Sequence, residues 1–199
     1  MRAVALKAWS RVNDIDLQDL KESDLISMSL KGDPSAFGEL VKRHEHGVYN
    51  LSYRYMRDSA LAEDMAQEAF LKGFRLLKGF RGDCRFSTWM YRVTSSVCLT
   101  ELARRKRKGE VELKPNHIGS TNVDEAIKSD RAEIIRRCVN LLPEKYAAII
   151  TMYYLEELSY EEIAKAMEIP LGTLKTWMFR ARKDLRKIVE SELGDHQNV

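Results

Sequence analysis

Apolar residues return at steps of three and four along most of the chain, and no sustained alternation of apolar and polar positions interrupts them. That period belongs to amphipathic helices and not to half-buried strands, so the pattern predicts an all-α fold. Helical pattern begins near Leu17 and breaks at KGDPSA, where Gly32, Asp33 and Pro34 predict a turn and a new helix start. From Ala36 to Met56 the apolar positions are Phe37, Leu40, Val41, Val48, Leu51 and Tyr55. A further helix from about Ser59 carries a seam at Leu61, Met65, Ala69, Phe70, Phe74 and Leu77. The glycine-punctuated stretch KGFRGDCRFS predicts a loop. Beyond it, a helix starting near Ser87 is expected to bury Trp89 or Met90, Val93 and Val97, with Trp89 taken as core.

The pattern then lapses. Lys108 to Asp130 is polar, holds Pro115 and two glycines, and keeps no period, which predicts a flexible linker. Helical pattern resumes at Asp130 and runs through LLPEKYAAIITMYYLEEL. The expected organisation is two small helical domains, 21–108 and 131–193, joined by a linker over 109–130. An N-terminal extension (1–20) and a short tail (194–199) flank them.

In the second domain, Ser159 and Glu162 have capping-box spacing, so a helix is expected from Tyr160, with Ile163, Ala164 and Met167 facing inward. Glu168 and Ile169 form a tight turn, and Pro170 suits the first position of the next helix. Leu171, Leu174, Met178, Ala181, Leu185 and Ile188 then form a buried stripe, and Lys175, Thr176, Phe179, Arg180 and Lys183 lie on the opposite face. Two short helices, a tight turn and a basic outer face make a helix-turn-helix. Arg180 suits guanine, Lys175 and Thr176 suit base edges or phosphate, and Phe179 suits a thymine methyl. Trp177 flanks the stripe and is expected to be half-packed.

Charge sharpens this picture. The formal net charge of the 199 residues is only +3, so a uniformly cationic coat is excluded. Basic residues bunch in ARRKRK (Ala103 to Lys108) and between Lys175 and Lys187, where six face one acid, Asp184. Acids gather at Glu63, Asp64 and Glu68, and again at Glu156, Glu157, Glu161 and Glu162. Such a chain suits a polyanion at two places and a basic protein surface at another. Cys84, Cys98 and Cys138 show no CxxC and no zinc spacing, which predicts reduced thiols in a cytoplasmic protein. No apolar run reaches transmembrane length and no signal-peptide core is present, so no membrane insertion is expected. His44 and His46 stand two apart on a helix and do not converge on a metal. With no glycine-rich nucleotide loop, no HExxH and no nucleophile–base pair, neither enzyme activity nor a cofactor or metal is expected.

The stretch LLPEKYAAIITMYYLEELSYEEIAKAMEIPLGTLKTWMFRARKDL resembles the promoter-reading C-terminal domain of bacterial RNA polymerase sigma factors of the extracytoplasmic-function branch. AFGELVKRHEHGVYNLSYRYMRDSALAEDMAQEAFLKGFR, followed by FRGDCRFSTWMYRV, resembles the first conserved domain of the same family. The two matches cover most of residues 24 to 193.

The resemblance implies a subunit that binds core RNA polymerase, recognises the −35 element of promoter DNA and melts the −10 element. It implies that Asp64, Gln67 and Glu68, on one helix face, dock on the polymerase largest subunit. It implies a −10 surface in which Phe80, Val93 and Ser96 hold a flipped base, bordered by Arg81 and Arg85. Tyr91 and Arg92 are expected to be exposed and to touch DNA, and Arg104, Arg105 and Lys106 to neutralise phosphates. At −35 the implied readers are Lys175, Thr176, Phe179, Arg180 and Lys183. Many relatives carry asparagine at Ser96 and a basic residue at Trp177. An anti-sigma factor is implied as a further partner, which would hold the cytoplasmic protein at the membrane where the inhibitor is membrane-bound. The residues alone leave two other readings open: an autonomous helix-turn-helix regulator, and a protein-interaction module whose basic helix never meets DNA.

Overall fold

The computed structural model describes residues 16–109 and 130–195. The centre of the expected linker, the first fifteen residues and the last four lie outside the described part. Among the described residues the structure is eight α-helices with two short 3-10 turns and no strand. The all-α expectation holds.

The chain forms two compact units, one up to His44 and one from Glu45 onward. The first contains α1 (Glu22–Leu30) and the start of α2 (Pro34–Met56). The predicted break between them is present. Gly32 takes φ +95°, a conformation that a side chain would strain. Asp33 accepts from the amides of Ser35 at 2.9 Å and Ala36 at 3.4 Å, which caps the new helix. Leu25, Ala36, Phe37 and Leu40 are buried. Arg43 donates to the carbonyls of Leu17, Gln18 and Leu20 at 3.0, 2.7 and 2.8 Å, tying the preceding segment to α2. His44 pairs with Glu22 at 2.8 Å, a structural role.

The second unit continues α2 and adds α3 (Ser59–Leu76), α4 (Phe86–Lys108), α5 (Asp130–Leu141), α6 (Glu144–Tyr154), α7 (Tyr160–Ala166) and α8 (Leu171–Asp195). Helix α3 packs on α4, α4 packs also on α7, and α5, α6 and α7 all pack on α8. Asp58 caps α3 by accepting from the Leu61 amide at 2.9 Å.

Two positions in this unit correct the expected seams. Phe74 is 45% exposed, because the contact line of α3 runs through Ala66, Phe70, Gly73 and Leu77 instead. Gly73 is buried where α4 comes close: a Cβ there would stand 2.8 Å from Met90 Sδ. Trp89 is half-buried, and the fully buried neighbour is Met90. Pressed between α3 and α7, α4 buries Thr88, Thr94 and Ser95 along with its apolar residues, so its inward face is wider than a helical stripe.

The C-terminal bundle forms as its pattern predicts. Ser159 Oγ accepts from the Glu162 amide at 3.2 Å, and the Glu162 carboxylate accepts from the Ser159 amide at 2.9 Å, completing the capping box. Helix α7 ends with Glu168 at φ +53°. The Ile169 amide reaches the Ala164 carbonyl at 3.1 Å and the Glu168 amide reaches that of Lys165 at 3.3 Å, a Schellman closure. Pro170 stands one residue before α8 instead of at its first position, and its carbonyl accepts from the Leu174 amide at 3.1 Å. Leu174, Met178 and Ala181 are buried, while Leu171, Leu185 and Ile188 are half-buried.

Candidate nucleic-acid interface

Helix α8 presents its polar residues as a continuous outer face. Lys175, Thr176, Phe179, Arg180 and Lys183 are all exposed, and Phe179 is 71% exposed although it is aromatic. Thr176 Oγ1 is bonded back to the Gly172 carbonyl at 3.0 Å. Trp177 lies off this face. It is half-buried, and the Lys145 ammonium from α6 sits 4.8 Å from its ring centroid, a cation–π contact. The tryptophan that interrupts a basic face thus carries a cation above it. Spacing alone could not reveal this, because Lys145 is 32 positions away in the chain.

Helix α4 presents a narrower outer stripe, Arg85, Trp89, Arg92, Ser96 and Leu99, at steps of three and four. Phe80 from the preceding loop leans on Trp89 at 5.3 Å and on Phe86 at 5.9 Å between ring centroids. An aromatic cluster therefore stands beside the exposed hydroxyl of Ser96, which accepts from Lys72 at 3.0 Å. Arg81 is exposed. Further along, Arg104 and Lys106 are exposed and Arg105 is half-buried, with Arg104 held by Glu101 through two 2.6 Å bonds.

One expected member of this surface is corrected: Tyr91 is 3% exposed and offers no open face, while Val93, 5% exposed, is buried as its place in the apolar stripe predicts. Each helical residue turns about 100° from the last. With Arg92 outward, Tyr91 therefore points toward the C-terminal helices, and its hydroxyl donates to Glu156. Burial, with Glu156 beside it, pushes the Tyr91 hydroxyl well above the usual phenol range.

The same α4 stripe meets acids that sequence reasoning had placed only as a cluster. Arg85 grips Glu162 with two bonds of 2.7 and 2.8 Å, and Thr88 adds a third at 3.3 Å. Arg85 and the Ser159 amide hold the Glu162 carboxyl down to about 2. Arg92 donates to Glu168 at 2.7 Å. Nearby, buried Arg54 donates to Thr151 at 3.1 Å and to Asn140, and Arg57 donates to the Leu142 carbonyl. Of the second acidic cluster, Glu162 thus meets an arginine of the same chain and Glu156 a tyrosine hydroxyl.

Asp64, Gln67 and Glu68 are exposed together on α3, opposite buried Ala66 and Phe70. Cys98 and Cys138 are buried and Cys84 is half-buried, all as free thiols; burial pushes Cys98 up to about 12. Among the described residues no three potential ligands gather for a metal ion.

Known proteins match both parts of the chain. Residues 40–108 match the family described as sigma-70 region 2, and residues 132–185 match sigma-70, region 4. The ECF RNA polymerase sigma-E factor of Escherichia coli K12 is 35% identical over 87% of this chain and 96% of its own. The RNA polymerase sigma-H factor of Pseudomonas aeruginosa is 32% identical over 88% of this chain and 97% of its own. The fold is shared with the sigma factor RpoE of Bartonella quintana, solved with the anti-sigma factor NepR, at a TM-score of 0.61 and 17% identity over 77% of this chain and 96% of that one. With both regions present in order and near-complete coverage of the relatives, the chain belongs to the extracytoplasmic-function branch of the sigma-70 family of RNA polymerase sigma factors.

Proposed function

We propose that this sigma factor grips promoters at two points, with α8 reading −35 and the α4 stripe engaging the opened −10 strand. The sigma factor binds core RNA polymerase and directs it to promoters. The observation that carries the residue-level reading is the pair of outward basic faces, one in each matched region. At −35, Lys175, Thr176, Phe179, Arg180 and Lys183 supply charge, a hydroxyl and an apolar tip to a major groove. At −10, Phe80 and Trp89 offer stacking surface, Ser96 offers an edge contact, and Arg81, Arg85, Arg92, Arg104, Arg105 and Lys106 offer phosphate contacts. Asp64, Gln67 and Glu68 form the polymerase-docking face.

The protein performs no catalysis of its own in this reading. It acts in the cytoplasm, and no helix among the described residues is long and apolar enough to cross a membrane. An anti-sigma factor is its proposed inhibitor, by analogy with the neighbour solved with NepR.

Run-off transcription with core polymerase and genomic promoter fragments tests this. Promoter-specific transcripts are expected with the wild type. Arg180→Ala should cost about 1–3 kcal/mol, roughly 5- to 150-fold in template affinity. Transcripts that survive Lys175→Ala/Arg180→Ala undiminished would remove α8 from the reading face.

A further inference from the structure

Among the described residues the exposed ammonium of Lys145 meets two rings, Trp177 at 4.8 Å and Tyr146 at 5.2 Å from the centroids, and no carboxylate or carbonyl. Local stability does not account for its place. Lys145 stands in the first turn of α6, where a positive charge opposes the helix dipole. A ring face holds a cation in position and leaves its charge unspent, whereas a carboxylate would neutralise it.

Trp177 stands at the border of the reading face. Each helical residue turns about 100°, so Trp177 lies about 60° from exposed Arg180 on one side and about 60° from buried Leu174 on the other. An α-helix with its side chains is about 10–12 Å across, and the major groove of B-DNA is about 12 Å wide. A reading helix therefore fills the groove. Side chains on its centre line meet base edges, and those at its borders meet the sugar–phosphate walls. An indole alone brings one N–H donor and no charge to such a wall; the Lys145 ammonium above it brings three donors and a full charge.

We infer that Lys145 is a further DNA contact at −35, taking a backbone phosphate on the groove wall, with the Trp177 ring as the platform that holds it there. The inference rests on the −35 reading of α8. Lys145 adds affinity that is independent of base sequence, and Trp177 is a positioning residue that acts through it. The basic face of α8 thus gains a cation from α6 at the border position where α8 itself carries an indole.

The test uses full-length variants assembled with core polymerase. Binding is measured by anisotropy on a fluorescent promoter fragment that yields run-off transcripts with the wild type. The salt concentration is stepped, and the fragment is also made with single neutral methylphosphonates through the −35 element and its borders. Lys145→Gln removes the charge and keeps most of the stem. Trp177→Leu removes the ring face, and Trp177→Phe keeps one. Lys31→Gln, at an exposed lysine outside both matched regions, is the charge-matched control.

Lys145→Gln is expected to bind about fourfold more weakly at about 0.2 M salt, and the slope of log affinity against log salt should fall by about 1. One border methylphosphonate that weakens the wild type should cost Lys145→Gln nothing. Trp177→Leu should lose that penalty too, Trp177→Phe should keep it, and the control should match the wild type. A Lys145→Gln protein that keeps every methylphosphonate penalty overturns the inference. The −35 reading stands in that case if Lys175→Gln loses a penalty in the same scan, and falls as well if Lys175→Gln keeps them all. Trp177→Leu binding with the affinity and salt slope of the wild type overturns the platform. An equal change of slope in Lys31→Gln overturns the inference by assigning the effect to net charge.

Discussion

Glu162 serves two structures at once. Its carboxylate accepts from the Ser159 amide and hydroxyl, each at 2.9 Å, and so closes the cap of α7; it also accepts from Arg85 and Thr88 across to α4. These donors favour the charged form and lower its titration from the ordinary 4.5 to about 2. A carboxyl that titrates lower in the folded chain than in the unfolded one stabilises the fold fully above the unfolded value. That contribution is lost as pH falls from 4.5 toward 2. Wild type is therefore expected to exceed Glu162→Gln in stability at neutral pH, with the gap closing through that window. Chemical denaturation at stepped pH checks this, and a gap that stays constant down to pH 2 would deny the Arg85 grip. The cap was legible in the sequence because Ser159 and Glu162 are three positions apart. The Arg85 grip was not, since 77 positions separate the partners.

At the scale of elements, local chemistry decides most helix ends. Asp33, Asp58 and Ser159 each accept the early amides of the helix they start, and each is a residue type suited to that place. Ser159→Ala should cost about 1 kcal/mol in denaturant unfolding. The end of α7 opposes two effects. Glu168 in a left-handed conformation costs about 1 kcal/mol or more, and its exposed bridge to Arg92 returns about 0–1 kcal/mol. Relief of strain wins, so Glu168→Gly is expected to melt at or slightly above the wild type. A drop in the melting temperature would mean that the bridge is worth more than its exposure suggests. Helix boundaries and the α8 stripe were readable from period and caps for this reason. Phe74, Trp89 and Tyr91 were not. Which side of α3 or α4 faces inward depends on helices distant in sequence, and α4 is covered on more than one side.

For the molecule as a whole, a buried arginine joins the stretch that starts at Glu45 to the C-terminal bundle. Arg54 is 7% exposed and donates to Thr151 at 3.1 Å and to Asn140, 97 and 86 positions away. Burial lowers its hold on its proton, yet a guanidinium stays charged in proteins, so its partners must satisfy a desolvated cation. Removing it leaves the buried Thr151 hydroxyl without its donor, a penalty of about 1–3 kcal/mol, and the half-buried Asn140 amide oxygen at a smaller one. Arg54→Ala is expected to lose about 2–4 kcal/mol in all. It should also weaken the coupling of the two stretches, which then rests on the half-covered Arg85–Glu162 bridge and on the exposed Arg92–Glu168 pair, which contributes little. Differential scanning calorimetry distinguishes the outcomes. A single transition in the wild type that splits into two in Arg54→Ala is the expected result. A single transition at lower temperature would place the coupling in the apolar contact of α4 with α7 instead.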